Sequence, residues 1–229
     1  MTLRPLPVLT VVVFVLTAVP SLLQGLLPGL EPALRRDPSA IAEGEWWRLG
    51  TSLVVQDGGW LGTLSNLAFL LILGTFAERT LGRVWWLALY LGGAVAGQAA
   101  GVLFGTVGAG NSVAVCGLAG GLIAAFARGR FPHSGRLEAA TATLFALLLS
   151  ATAIPTSLAA PIVAAVLGGL LLARREAVPG WVFLALTILI AIVLTAAQNL
   201  HGPALGAGLL IGALVRRVPT TSLQPKEPV

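Results

Sequence analysis

AGNSVAVCGLAGGLIAAFA, residues 109–127, carries no charged side chain and is apolar on every helical face. A helix of that kind is stable only when surrounded, either in a large core or in a membrane. Gly117, Gly120 and Gly121 let neighbouring backbones approach closely. The preceding apolar run has Gly93, Gly97, Gly101 and Gly105 at intervals of four, on one helix face, which is a packing signal. The two runs together place residues 113–128 in the crowded centre of a helical bundle.

The rest of the chain continues this pattern. Of 229 residues, 56% are hydrophobic and 10% charged, against about 25% charged in soluble domains. Apolar runs of roughly 17 to 22 residues mark membrane spans. They fall at about 8–27, 60–77, 84–105, 113–128, 137–154, 157–173, 180–198 and 200–216, so the predicted class is an all-α polytopic membrane protein with about eight transmembrane helices. The breakers are Pro155-Thr156-Ser157, Pro179-Gly180 and Gly202-Pro203. No polar linker divides the chain, so residues 1–218 read as one transmembrane domain and residues 219–229 as a disordered cytoplasmic tail.

Cationic loops set the orientation. Arg4, Arg79, Arg83, Arg128, Arg130, Arg136, Arg174, Arg175, Arg216, Arg217 and Lys226 all fall on one side of an eight-span chain. The positive-inside rule makes that side, and both termini, cytoplasmic in a multi-pass cell-membrane protein. A seven-span count breaks the pattern. Arg35, Arg36 and Arg48 are exceptions, in the long external segment 28–59 beside Glu31, Asp37, Glu43 and Glu45. The first run is too long for a typical signal-peptide core and Arg4 is a thin basic flank, although Ala18-Val19-Pro20 resembles a cleavage point. The formal charge of +5 does not imply nucleic acid, because the basic residues sit between spans. One cysteine excludes an intrachain disulfide, and two histidines are too few and scattered for a metal site. No cofactor is implied.

Polar residues inside such a chain are conspicuous. Ser112 heads one span and His201 heads another, and with eight spans both heads lie at the same external depth. A serine at a helix start is ordinarily an N-cap. Gly110 permits a tight turn there, and the first N–H groups of the helix are anion donors. An ionisable side chain within a span is functional by default. An imidazole within reach of a hydroxyl makes it a nucleophile. Asn66 needs a partner in lipid: an interhelical hydrogen bond, or a role as an oxyanion donor. Glu78 reads as a loop anchor through Arg79 or Arg83. Trp60 reads as an interfacial anchor, while Trp47-Arg48 belongs to an external loop expected to carry its own helices on the bilayer surface. Cys116, one turn below Ser112, is a packing residue or a rival nucleophile. His133 lies in the basic cytoplasmic loop and reads as solvated.

This constellation resembles the rhomboid family of intramembrane serine proteases. The likeness covers roughly residues 44–126 and 198–214. It rests on Trp47-Arg48, on Asn66 opening the run to Gly74, on Glu78, Gly82 and Tyr90, on Gly110-Asn111-Ser112 followed by Gly117-Leu118-Ala119-Gly120, and on His201 followed by Ala204 and Gly208. The resemblance implies a rhomboid-like bundle, a six-helix core plus an extra hairpin. It implies Ser112 as nucleophile, His201 as its base, and Asn66 with the Ser112 N–H at the oxyanion. Substrates would be single-pass or polytopic membrane proteins. Three departures stand out. Gly62 occupies the place of a family histidine four residues before the asparagine. Val113 replaces the glycine after the serine and is expected to crowd the site. An extra pair of spans separates Ser112 from His201, which alters the lateral gate.

Three functions are compatible with the residues. A working Ser-His protease is favoured by retention of both dyad residues. A non-catalytic rhomboid-like protein that binds transmembrane helices is favoured by Gly62 and Val113. A transporter or channel needs a polar pathway, and the spans hold almost no charge.

Overall fold

A computed structural model describes residues 6–131, 134–154, 157 and 159–215. His133, Arg4, Pro155, Thr156, Arg216, Arg217, Lys226 and the 219–229 tail lie outside the described residues. Among the described residues the fold is helical, and the only β pairing is an isolated bridge between Arg36 and Gly108. The helices are α1 (Val8–Leu23), α2 (Leu30–Leu34), α3 (Pro38–Ala42), α4 (Arg48–Thr51), α5 (Gly59–Leu81), α6 (Arg83–Leu103), α7 (Ser112–Ala127), α8 (Arg136–Ser150), α9 (Ala159–Ala173), α10 (Gly180–Ala196) and α11 (His201–Ala213). A short 3-10 turn, Ala151–Ala153, extends α8. By length and composition α5 and α6 can each cross a membrane, whereas α1, α7, α9 and α10 are apolar but shorter. The long segment 28–59 carries α2, α3 and α4.

The second run is longer than the sequence indicated. α5 continues through Glu78 to Leu81 and ends at Gly82, whose φ of +85° lets α6 begin at the next residue. Glu78 is buried at that end. Its carboxylate accepts from the N–H groups of Leu9 (3.1 Å) and Thr10 (2.8 Å) and from the Thr10 hydroxyl (2.9 Å), and Arg83 lies 3.5 Å away. A carboxylate there satisfies the orphan donors at the start of α1. What Glu78 anchors is therefore chiefly the first helix, with Arg83 as a secondary partner.

α7 is the axis of the bundle: every residue from Val113 to Ala125 is buried. It is packed by backbone contact on two sides. A Cβ on Gly117 would lie 2.0 Å from the Leu89 carbonyl oxygen of α6, and one on Gly208 of α11 would lie 2.4 Å from the Gly117 carbonyl oxygen. Gly93 and Gly97 complete the α6 face, against the Gly117 backbone and the Val113 side chain, and Gly101 lies against the Arg36 guanidinium. Gly105 does not belong to this stripe. It lies beyond the end of α6 at φ +65°, where the chain turns.

These contacts predict a sharp contrast along α11. Gly208→Ala drives a methyl into backbone that cannot retreat and is expected to cost about 3 kcal/mol. Gly206→Ala, where an added Cβ meets nothing within 4 Å, is expected to be neutral. Unfolding titrations in detergent measure both.

Candidate active site

α7 and α11, held together at their glycines, bring their N-terminal ends side by side. The Ser112 Oγ and His201 Nε2 are 2.8 Å apart, within the range for direct proton transfer. His201 Nδ1 lies 2.7 Å from Asn199 Oδ1, which also accepts from the His201 backbone N–H at 3.1 Å. The pair opens onto a cavity of about 440 Å³. Its polar lining includes Gln56, Asp57, Ser65 and Asn66, and its apolar wall includes Phe69, Phe145, Leu148, Leu149 and Pro161. Phe69 of α5 and Phe145 of α8 meet with ring centres 4.9 Å apart.

The segment leading into Ser112 is clamped by the loop between α1 and α5. Arg36 and Gly108 exchange backbone hydrogen bonds (2.9 and 3.0 Å), Ala109 N–H donates to the Asp57 carboxylate (2.9 Å), and Gly110 N–H donates to Ser52 C=O (2.8 Å). The Arg36 guanidinium donates to Gln98 Oε1 (2.9 Å) and to Thr106 C=O (2.8 Å). Burial pulls the Arg36 side chain below its usual pKa, and the Asp57 carboxylate opposes that shift. Arg36 is thus a buried brace beneath the serine loop, which gives this cation a structural role apart from the charge pattern of the other loops. Gly110 adopts φ +139°, and a Cβ there would lie 3.1 Å from Gln56 Oε1 and 3.6 Å from Ser112 Oγ. Only glycine both takes that turn and leaves the floor of the site open.

Asn66 sits beside the pair but within a closed amide cluster. Its Nδ2 donates to Gln56 Oε1 (2.8 Å) and to Asn111 Oδ1 (2.5 Å), and Gln56 Nε2 donates to Asn111 Oδ1 at 3.3 Å. Asn66 Oδ1 is buried with no hydrogen-bond partner among the described residues. Gly62 lines the cavity one turn before Asn66, and a Cβ there meets nothing within 4 Å. Val113 corrects an expectation. Its side chain is buried against Gly97 of α6 and is not part of the cavity lining, because one residue of helical rotation turns it away from Ser112. Cys116 is fully buried in the core and does not line the cavity either.

Away from the cavity, Arg48 donates to Pro32 C=O and Arg35 C=O, both at 3.0 Å, and pairs with Glu45. It therefore holds the loop between α1 and α5 in shape, with Trp47 exposed beside it. Sequence reasoning did not single out Gln56, Asp57, Asn111 or Asn199. The available signal was their polarity close to Ser112, Asn66 or His201 in a chain so poor in polar groups.

Apolar helices packed about a buried axis thus bring a hydroxyl and an imidazole together at one end, over an open cavity. The Rhomboid domain pattern matches residues 43–177, more than half of the 229 residues, and the chain belongs to the rhomboid family. The matched stretch contains Asn66 and Ser112 and ends before His201. Rhomboid protease GluP of Bacillus subtilis (strain 168) is 37% identical over 93 residues, covering 38% of this chain and 17% of GluP. The chain therefore spans only a small part of that relative's length. No solved structure matches it.

Proposed function

We propose that this chain is an intramembrane serine endopeptidase acting on transmembrane-helix substrates through a Ser112–His201 dyad. The observation that carries the reading is the 2.8 Å contact between Ser112 Oγ and His201 Nε2 at the edge of an open cavity. Ser112 Oγ attacks the scissile carbonyl as its proton passes to Nε2. Ser112 N–H holds the oxyanion, and Asn66 joins it once the entering substrate displaces one of the two amide partners, Gln56 or Asn111, that its NH2 serves here. The imidazolium returns the proton to the leaving amine, and water then hydrolyses the acyl-enzyme by the same route.

In this reading α1 and α5 to α11 are eight spans, with both termini cytoplasmic. The 16 residues of α7 cover about 24 Å at 1.5 Å per residue, less than the roughly 30 Å of the hydrocarbon core. With Arg128 at the cytoplasmic boundary, Ser112 lies below the external surface and its water is confined to the cavity. The apolar wall of Phe69, Phe145, Leu148 and Leu149 suits an unwound segment of an apolar helix. The test is reconstitution with a single-pass substrate whose helix is destabilised near its external end. Cleavage lost in Ser112→Ala and in His201→Ala supports the proposal.

Two observations favour the alternative, a non-catalytic member that binds transmembrane helices. Gly62 offers no donor, and both Asn66 donor hydrogens are engaged by Gln56 and Asn111. Under that reading the same substrate co-purifies with the protein uncleaved.

A further inference from the structure

The turn between α10 and α11 is built to present one side-chain oxygen to His201. α10 ends with Gln198 N–H donating to Thr195 C=O (3.0 Å) and Asn199 N–H donating to Leu194 C=O (2.8 Å), a pattern normally closed by glycine. Here the left-handed position is taken by Gln198, with φ +54°, the only non-glycine at positive φ among the described residues. The reversal of direction puts the Asn199 side chain alongside His201, two residues on.

The backbone decides which atom of the Asn199 amide faces the histidine. The His201 N–H can only donate, and it points to the same amide atom that lies against Nδ1, so that atom is the oxygen. An oxygen 2.7 Å from Nδ1 requires the proton on Nδ1. A neutral imidazole has a single N–H, so the lone pair is then on Nε2, facing the Ser112 hydroxyl.

We infer that Asn199 is the positioning residue of the site. Its side-chain carbonyl selects the Nδ1–H tautomer of His201, fixes the plane of the ring, and steadies the imidazolium formed during proton transfer. The catalytic part of this inference rests on the reading of Ser112 and His201 as a dyad. The tautomer part does not.

Asn199 also caps α11 through the His201 N–H, so a test must separate capping from positioning. Serine is an equally good cap, but its hydroxyl is attached one bond closer to the backbone and cannot serve both hydrogens. Asn199→Ser is expected to keep the melting temperature and KM while lowering kcat, and the rate of fluorophosphonate labelling, at least about tenfold. Asn199→Asp, which restores the acceptor, is expected to stay within a few-fold of wild type. Wild-type rates in Asn199→Ser would reduce the residue to a cap and overturn the inference.

A second readout needs no activity. The chain has two histidines, so in a His133→Gln background the imidazole nitrogen spectrum reports His201 alone. At pH 8 the wild-type ring should be the Nδ1–H form, and Asn199→Leu should convert it to a mixture. An Nε2–H ring with Asn199 present overturns the inference, whether or not the protein cuts substrate. A tautomer change in a protein that never labels would instead sink the protease reading and leave Asn199 in its positioning role.

Discussion

Ser112→Ala and His201→Ala are each expected to lower fluorophosphonate labelling by at least about 10⁴-fold, and the double variant should be no slower than either single one. The hydroxyl without the imidazole is a weak nucleophile, and the imidazole without the hydroxyl has nothing to activate. In the proposed mechanism the two act as one unit, through the hydrogen bond of 2.8 Å that they share. Cys116→Ala is the matching control. The thiol is fully buried in the core and outside the cavity, so the variant should label like wild type. Labelling that survives Ser112→Ala and disappears in Cys116→Ala would transfer the nucleophile to the cysteine. Gel fluorescence against time measures all four variants.

The axis of the bundle was legible because its signal is local. A run with no polar face must be surrounded, and glycines spaced by four must meet something close, which holds for Gly93, Gly97 and Gly101. Gly105 shares that spacing but not the role, since the helix ends two residues earlier. Ser112 and His201 stood out because hydroxyl and imidazole are rare at the heads of apolar runs in this chain. The parts that were not legible depend on tertiary neighbours. Arg36 reads as a misplaced surface charge until Gln98, Thr106 and Gly101 are brought around it. Val113 reads as an obstruction until the Gly97 groove shows where its side chain goes. Side chains two residues apart do not face one another on a helix. Asn199 therefore escapes notice beside His201 until the left-handed turn at Gln198 breaks that geometry.

Gly62→His is expected to raise kcat by about 10- to 100-fold while leaving KM nearly unchanged. Removing one oxyanion donor from a hydrolase typically costs about 10²- to 10³-fold, and this site lacks the imidazole that the family resemblance places at residue 62. The position can receive it. Gly62 is four residues before Asn66 and so on the same helix face, it lines the cavity, and an added Cβ meets nothing within 4 Å. A donor aimed at the oxyanion strengthens only as charge develops on that oxygen, so the gain belongs to the transition state and to kcat. Gly62→Phe separates chemistry from filling: it occupies the same space with no N–H and should give no gain. An equal gain from histidine and phenylalanine would mean that displaced water, not a hydrogen bond, limits the rate. No gain from histidine would mean that the amide cluster of Gln56, Asn66 and Asn111 already supplies the oxyanion donors, and the three amides would then have to rearrange from the pairing seen here when substrate enters.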